Sequence, residues 1–304
     1  MQSSVGANGA SSVAGASEAL GSESLSPLQL AWRSFRRRKL GLFGAGIVIL
    51  LFVVAVGGAN VTPYDPNEMA GDRSLAPPSL AHPMGTDRFG RDQLSRLMVG
   101  TQISMIVSFS AVLLSLAIGL PLGLLAGYYG GWIDSVLMRI EDVVFAFPTL
   151  LLALMMVATL GASLFNLVIA IAIIFQASAA RIVRASVMSV KEKEFVEAAR
   201  ASGARDVTII TRFILPNVMS PLIVWATFHL SLAIFIEAGL SFIGMGTQPP
   251  TPSWGLMLNE SRTFMEFAPW LTIFPGLTIV VAVLGFNLIG DALRDALDPR
   301  LSER

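Results

Sequence analysis

The chain has 304 residues, 54% hydrophobic and 14% charged; a soluble domain carries about 25% charged residues, so the deficit points to a bilayer. Net charge is zero and cysteine is absent, which excludes a disulfide framework and a thiolate metal site, and two histidines leave little for a histidine metal centre. The three lysines follow Arg38, Val190 and Glu192, never glycine, so the Gly-Lys-Ser/Thr of a phosphate-binding Walker A loop is excluded.

Residues 1–27 are rich in Ser, Gly and Ala and lack the basic start and apolar run of a signal peptide; they are predicted to be a disordered cytoplasmic tail. A basic segment, Trp32 to Lys39, leads into a first span at 41–60, so 28–60 form one unit. Residues 61–101 form an extracytoplasmic loop, made irregular by Pro77, Pro78, Pro83 and Gly85. Asp87 is predicted to cap a short amphipathic helix there, lying at the interface. Arg91, Asp92 and Arg96 then either pair locally or face an external partner.

A core of five further spans occupies 102–293, at about 102–128, 138–160, 164–180, 218–243 and 270–290, since about 20 apolar helical residues cross a bilayer. Gly127, Gly130 and Gly131 place a cytoplasmic turn before the third span, where Arg139 and Asp142 form an expected i,i+3 pair. Residues 294–304 are a cytoplasmic C-terminus. With the N-terminus inside, 16 of the 21 basic residues fall on the cytoplasmic side and 5 outside, which sets the orientation. The fold class is an all-α membrane protein of six transmembrane helices with both termini cytoplasmic.

The loop 181–217 is a charged island in this apolar chain. Ser189 and Glu192 fit a capping box, so a helix is predicted over 190–202, with Gly203 in the left-handed position after its end. A second short helix starts at Asp206 and stops before Pro216. In the first helix Phe195, Ala198, Ala199 and Ser202 share one face, where small residues admit a partner closely, and Lys193, Glu197 and Arg200 share the next. A hairpin lying on the membrane surface with a solvated charged face explains the same pattern equally well.

Ionisable residues within spans are functional by default. His229, near mid-bilayer in the fifth span, either lines a path or hydrogen-bonds a neighbouring helix. Glu237, nearer the outer interface, either belongs to a gate or caps a helix break at Gly239. Gln176 reads as helix–helix glue, and Met245, between Gly244 and Gly246, as a mobile constriction. Asp291, Arg294, Asp295 and Asp298 share a face of the last helix, read as solvated.

Glu197-Ala198-Ala199, then Gly203, then Leu215-Pro216 resembles the EAA loop of permease subunits in binding-protein-dependent ABC importers; Phe213 stands where that loop usually carries isoleucine. His82 to Asp87 with Gly90-Arg91-Asp92 and Ser95-Arg96 is similar to the dipeptide/oligopeptide importer permeases. So are Glu237 to Phe242 with Gln248-Pro249-Pro250 and Ser253-Trp254-Gly255, and the ending Gly290-Asp291 to Asp298-Pro299-Arg300. The short basic N-terminal segment favours the C-type member of the permease pair. The resemblance implies a MetI-like type I permease bundle in the cell inner membrane. It implies that Phe195, Glu197, Ala198, Ala199, Arg200, Gly203, Leu215 and Pro216 couple to an ATPase. It further implies that His229, Glu237 and Met245 serve the path or gate, and that Asp87, Arg91, Asp92 and Arg96 meet a solute-binding protein. The expected partners are a second permease, two ATP-binding subunits, the solute-binding protein and lipid, with no nucleic acid. No cofactor or metal is expected in this chain, ATP and Mg being held by the ATPases.

An enzyme would need a nucleophile, an acid–base pair or a metal cluster, and the residues supply none. An ion-coupled secondary transporter would need buried acidic groups and commonly repeats; Glu237 alone qualifies and no repeat is visible. A transport subunit for dipeptides or oligopeptides is the expected function, with nickel or another small solute as the alternative cargo.

Overall fold

The computed structural model describes residues 33–36 and 38–297; the predicted tail 1–27 and Asp298 to Arg304 lie outside the described residues. Its helices are α1 (Lys39–Val61), α2 (Gln93–Tyr129), α3 (Gly131–Phe145), α4 (Thr149–Leu160), α5 (Leu164–Lys191), α6 (Glu194–Ala201), α7 (Asp206–Phe242), α8 (Trp254–Ser261) and α9 (Trp270–Leu297). Among the described residues α1, α2, α5, α7 and α9 are each long and apolar enough to cross a membrane.

The predicted third span is not one helix. It is α3 and α4, bent by 86° at Ala146-Phe147-Pro148, because a proline disfavours the α region for the residue before it. Pro148 itself sits at φ −58°, ψ 130° as the first position outside α4. The six predicted crossings therefore correspond to five single helices and one broken pair.

The helix of the predicted fourth span runs on into the predicted loop. α5 starts on Ser163, whose hydroxyl accepts from Asn166 N at 3.2 Å, and runs past 180 to Lys191. The charges that suggested an end are absorbed by α3. Arg184 makes a two-pronged pair with Asp134 at 2.5 and 2.6 Å, and Arg181 reaches Asp142 at 2.5 Å. Asp142 is thus paired with Arg181 rather than with Arg139 as expected. Gln176 donates to the buried Glu141 at 2.7 Å, so it does join two helices.

α2 has 37 residues, about 55 Å at 1.5 Å per residue, more than the hydrocarbon core requires. Its extra length absorbs the predicted interfacial helix: between 62 and 92 the described helical structure is one 3-10 turn, Gly71–Arg73. Asp92 rather than Asp87 is the cap, its carboxylate accepting from Ser95 N at 2.8 Å.

α2 and α5 pack most closely where α2 carries glycine every fourth residue, at 119, 123 and 127. A Cβ on Gly123 would lie 2.5 Å from the carbonyl oxygen of Ala180 and 2.6 Å from Val183 Cβ. Lipid tails are as apolar as leucine, so such close backbone approach, not water exclusion, holds spans together.

α7 was expected to begin as a short helix ending before Pro216. It does begin at Asp206, but it continues through Pro216 to Phe242. The turn ahead of the proline, Ile209–Ile214, is π-helical. Its wider winding relieves the clash a proline ring makes with the carbonyl four residues back and leaves the missing N–H without consequence. α7 is also unbroken at Gly239, so Glu237 caps nothing there. It ends at Gly244 (φ +85°), with Gly244 N bonding Ser241 O at 3.0 Å and Met245 N bonding Leu240 O at 2.8 Å, a Schellman closure.

One end of the bundle gathers the 62–92 loop, the start of α2, the end of α7 and α8. The other gathers the end of α5, α6, the start of α7 and the end of α9.

Candidate functional site

At the α6 end, the sequence folds a short helix that buries one side chain. Val196 is fully buried, Ala199 is half-buried, and Phe195, Glu197, Ala198 and Arg200 are exposed. The predicted capping box does not form, because Ser189 lies inside α5; α6 starts instead at Glu194 after an extended Lys193. Gly203 takes φ +79° as expected. Its N–H bonds Arg200 O at 3.0 Å while Ala204 N bonds Ala199 O at 3.1 Å, the same closure as at Gly244. Beyond the π turn, Leu215 is half-buried and Pro216 exposed. Two polar ties fix the loop from beneath: Lys191 Nζ donates to Gly127 O at 3.0 Å, and the Tyr128 hydroxyl donates to Asp206 at 2.7 Å. The result is a seated helix whose apolar Phe195 and charged Glu197 are exposed, while Arg200, also exposed, reaches the Tyr128 side chain of α2.

In mid-span, His229 hydrogen-bonds a neighbouring helix, the second of the alternatives expected of it. Its Nδ1 lies 2.9 Å from Trp225 O and therefore donates, which leaves Nε2 as the acceptor, 3.4 Å from the Ser178 hydroxyl. Ser178 in turn accepts from Trp225 Nε1 at 2.9 Å, closing a ring of hydrogen bonds between α5 and α7. The imidazole stacks on Trp225 with centroids 3.9 Å apart. Trp225 and His229 also line a cavity of about 480 Å³ between α5, α7 and α9, reaching to Arg294 and Leu297.

Glu237 is fully buried and accepts from Ser104 at 2.9 Å and Ser241 at 2.8 Å. Ser104 also lies 3.4 Å from Trp254 N, so the carboxyl is a knot between α2, α7 and α8. Met245 is half-buried against the core. His229, Glu237 and Met245 therefore occupy three separate settings rather than one site.

At the opposite end, Asp87, Arg91, Asp92 and Arg96 do come together, but inward. All four are buried, at 6%, 2%, 2% and 1% exposure, so their side chains are not presented to an external protein. Arg91 pairs with Asp87 at 2.5 Å and with Glu260 of α8 at 3.1 Å. Arg96 pairs with Glu260 at 2.9 Å and donates to Pro66 O at 3.3 Å. Asp92 accepts from the Ser95 hydroxyl at 2.7 Å and meets His82 Nδ1 at 2.8 Å. Sequence reasoning missed Glu260; its signal was a lone carboxylate in the otherwise uncharged 254–261 segment. It also missed Arg294 as a cavity residue. The ion pair from Arg38 to Asp295 ties α1 to α9, so the last helix's charged face is not simply solvated.

The family model described as "Binding-protein-dependent transport system inner membrane component" matches residues 119–303, and "N-terminal TM domain of oligopeptide transport permease C" matches 26–78. The glutathione transport system permease protein GsiD of Pectobacterium atrosepticum is 45% identical over 276 residues, covering 90% of this chain and 92% of the relative. The Escherichia coli protein of the same name is 48% identical over 271 residues, 89% of each. Among solved structures, the inward-facing MetNI methionine ABC transporter aligns with TM-score 0.54 at 19% identity, covering 66% of this chain and 94% of that one. An amino acid ABC transporter aligns with TM-score 0.50 at 20% identity, covering 66% and 92%. The structural likenesses show the fold.

Proposed function

Since the chain belongs to the family of binding-protein-dependent transport system inner membrane components, and is thereby a multi-pass permease subunit of an ABC importer, we propose that its cargo is a short peptide of glutathione size. The supporting observation is the name shared by relatives at 45–48% identity over about nine-tenths of the chain. The permease pairs with a second, homologous subunit, and its α6 end faces the cytoplasm, where two ATP-binding subunits dock. A solute-binding protein delivers cargo to the other side.

The observation that carries the mechanism is α6: anchored by Val196 with Ala199 half-buried, closed by Gly203, and otherwise exposed. A helix so seated transmits a push to α5 and α7 because it cannot yield alone. ATP contributes by favouring one arrangement of the docked helices over another, and the bundle then alternates between openings on the two sides. Specific cargo choice rests largely with the binding protein.

The test is reconstitution. The chain should co-purify with a second permease and ATP-binding subunits, and the complex with its binding protein should take up labelled glutathione in an ATP-dependent way. Glu197→Lys should leave assembly in the membrane intact while hydrolysis no longer drives uptake. Unchanged uptake by that variant overturns the coupling role; a wild-type complex that moves no peptide overturns the cargo.

A further inference from the structure

The cavity between α5, α7 and α9 has a chemical bias that the permease role does not by itself supply. At about 480 Å³ it lies within the range of small-molecule pockets. It is walled by Val224, Trp225 and Phe228, with Ser220 and His229 as polar neighbours and Arg294 as its single charged lining residue. No carboxylate lines it among the described residues, and Arg294 forms no ion pair with any of them. His229 is already satisfied as a neutral imidazole by Trp225 O and Ser178. A guanidinium beside an apolar, aromatic wall whose described lining holds no carboxylate attracts one kind of group, an anion on an organic body, and a guanidinium matches a carboxylate in fork geometry. From Ser220 to His229 the wall runs along α7 for about 14 Å.

We propose that this cavity is a binding site for the carboxylate end of the transported peptide, with Arg294 as the residue that receives it. The inference rests on the peptide-permease reading. The guanidinium in the lining favours an anionic solute over an acyl chain, which would need no charged group there.

The chain has no cysteine, so a single Val224→Cys reports occupancy of the cavity by its rate of maleimide labelling in the purified permease–ATPase complex without binding protein. The probe is S-methylglutathione, whose blocked thiol cannot consume the reagent, compared with its diamide. The acid should slow labelling, the diamide should not, and Arg294→Gln in the same background should weaken protection about tenfold, as expected for a lost charged hydrogen bond, with Arg294→Lys retaining part of it. Equal protection by acid and diamide, or full protection in Arg294→Gln, overturns the proposal. Protection by added phosphatidylglycerol in place of peptide assigns the cavity to lipid and overturns it as well. ATP-driven uptake of labelled glutathione by the wild-type complex is scored separately. A complex that transports but shows no acid-specific protection refutes this site alone, whereas one that never transports refutes the permease cargo.

Discussion

Both ends of the bundle carry charge, and they treat it in opposite ways. At the α8 end, Arg91, Arg96, Asp87 and Glu260 are turned inward and neutralise one another, with exposures of 1–2% for the two arginines. At the α6 end, Glu197 is exposed on a helix that buries only Val196. The first arrangement spends charge on holding a long loop to the core; the second leaves charge on an exposed face. Charge density alone does not distinguish a docking surface from a structural clasp. What distinguishes them is whether a counter-ion exists elsewhere in the same chain.

That contrast breaks most visibly at Arg96. Arg96→Ala leaves Glu260 and Asp87 short of a buried cation, and removal of one partner of a buried pair costs about 3–5 kcal/mol. Thermal unfolding of the solubilised complex should drop accordingly, and the 62–92 loop should become a protease target. Between the ends, Gly123→Ala pushes a Cβ to 2.5 Å from Ala180 O and should cost about 1–3 kcal/mol as overpacking, read in the same melt. At the α6 end, Gly203→Val forces a β-branched residue to φ +79°, a penalty of about 1–2 kcal/mol confined to the loop. Its signature is lost uptake with hydrolysis continuing. Glu197→Lys should change stability by no more than about 0.5 kcal/mol, as for other exposed positions, yet abolish coupled uptake. If Glu197→Lys melts the protein as Arg96→Ala does, the two ends are not different in kind.

Local signals were legible in the sequence and long-range ones were not. Gly203 announced its left-handed turn, Asp206 its helix start, and the apolar runs their spans, because each depends on neighbours within a turn or two. Asp87, Arg91 and Arg96 were read as candidates for an external surface because their shared partner, Glu260, lies 164 residues beyond Arg96. α5 was cut short at 180 for the same reason: Arg181 and Arg184 look like an exit from the bilayer until Asp142 and Asp134 appear opposite them. The bend at Phe147-Pro148 and the glycines at 119, 123 and 127 were written plainly, and fourfold spacing in an apolar helix was a sufficient clue. Pro216 misled in the other direction, since a helix can pass a proline by loosening one turn.

That loosened turn sets an angle. A π turn accommodates one residue more than the α-helix around it, and one residue is about 100° of rotation about the axis. Ile209–Ile214 therefore acts as a phase shifter between the membrane part of α7 and the segment that carries α6. Deleting a single residue there would restore a regular helix and swing α6 by about a quarter turn, with every one of its side chains still present but facing another way.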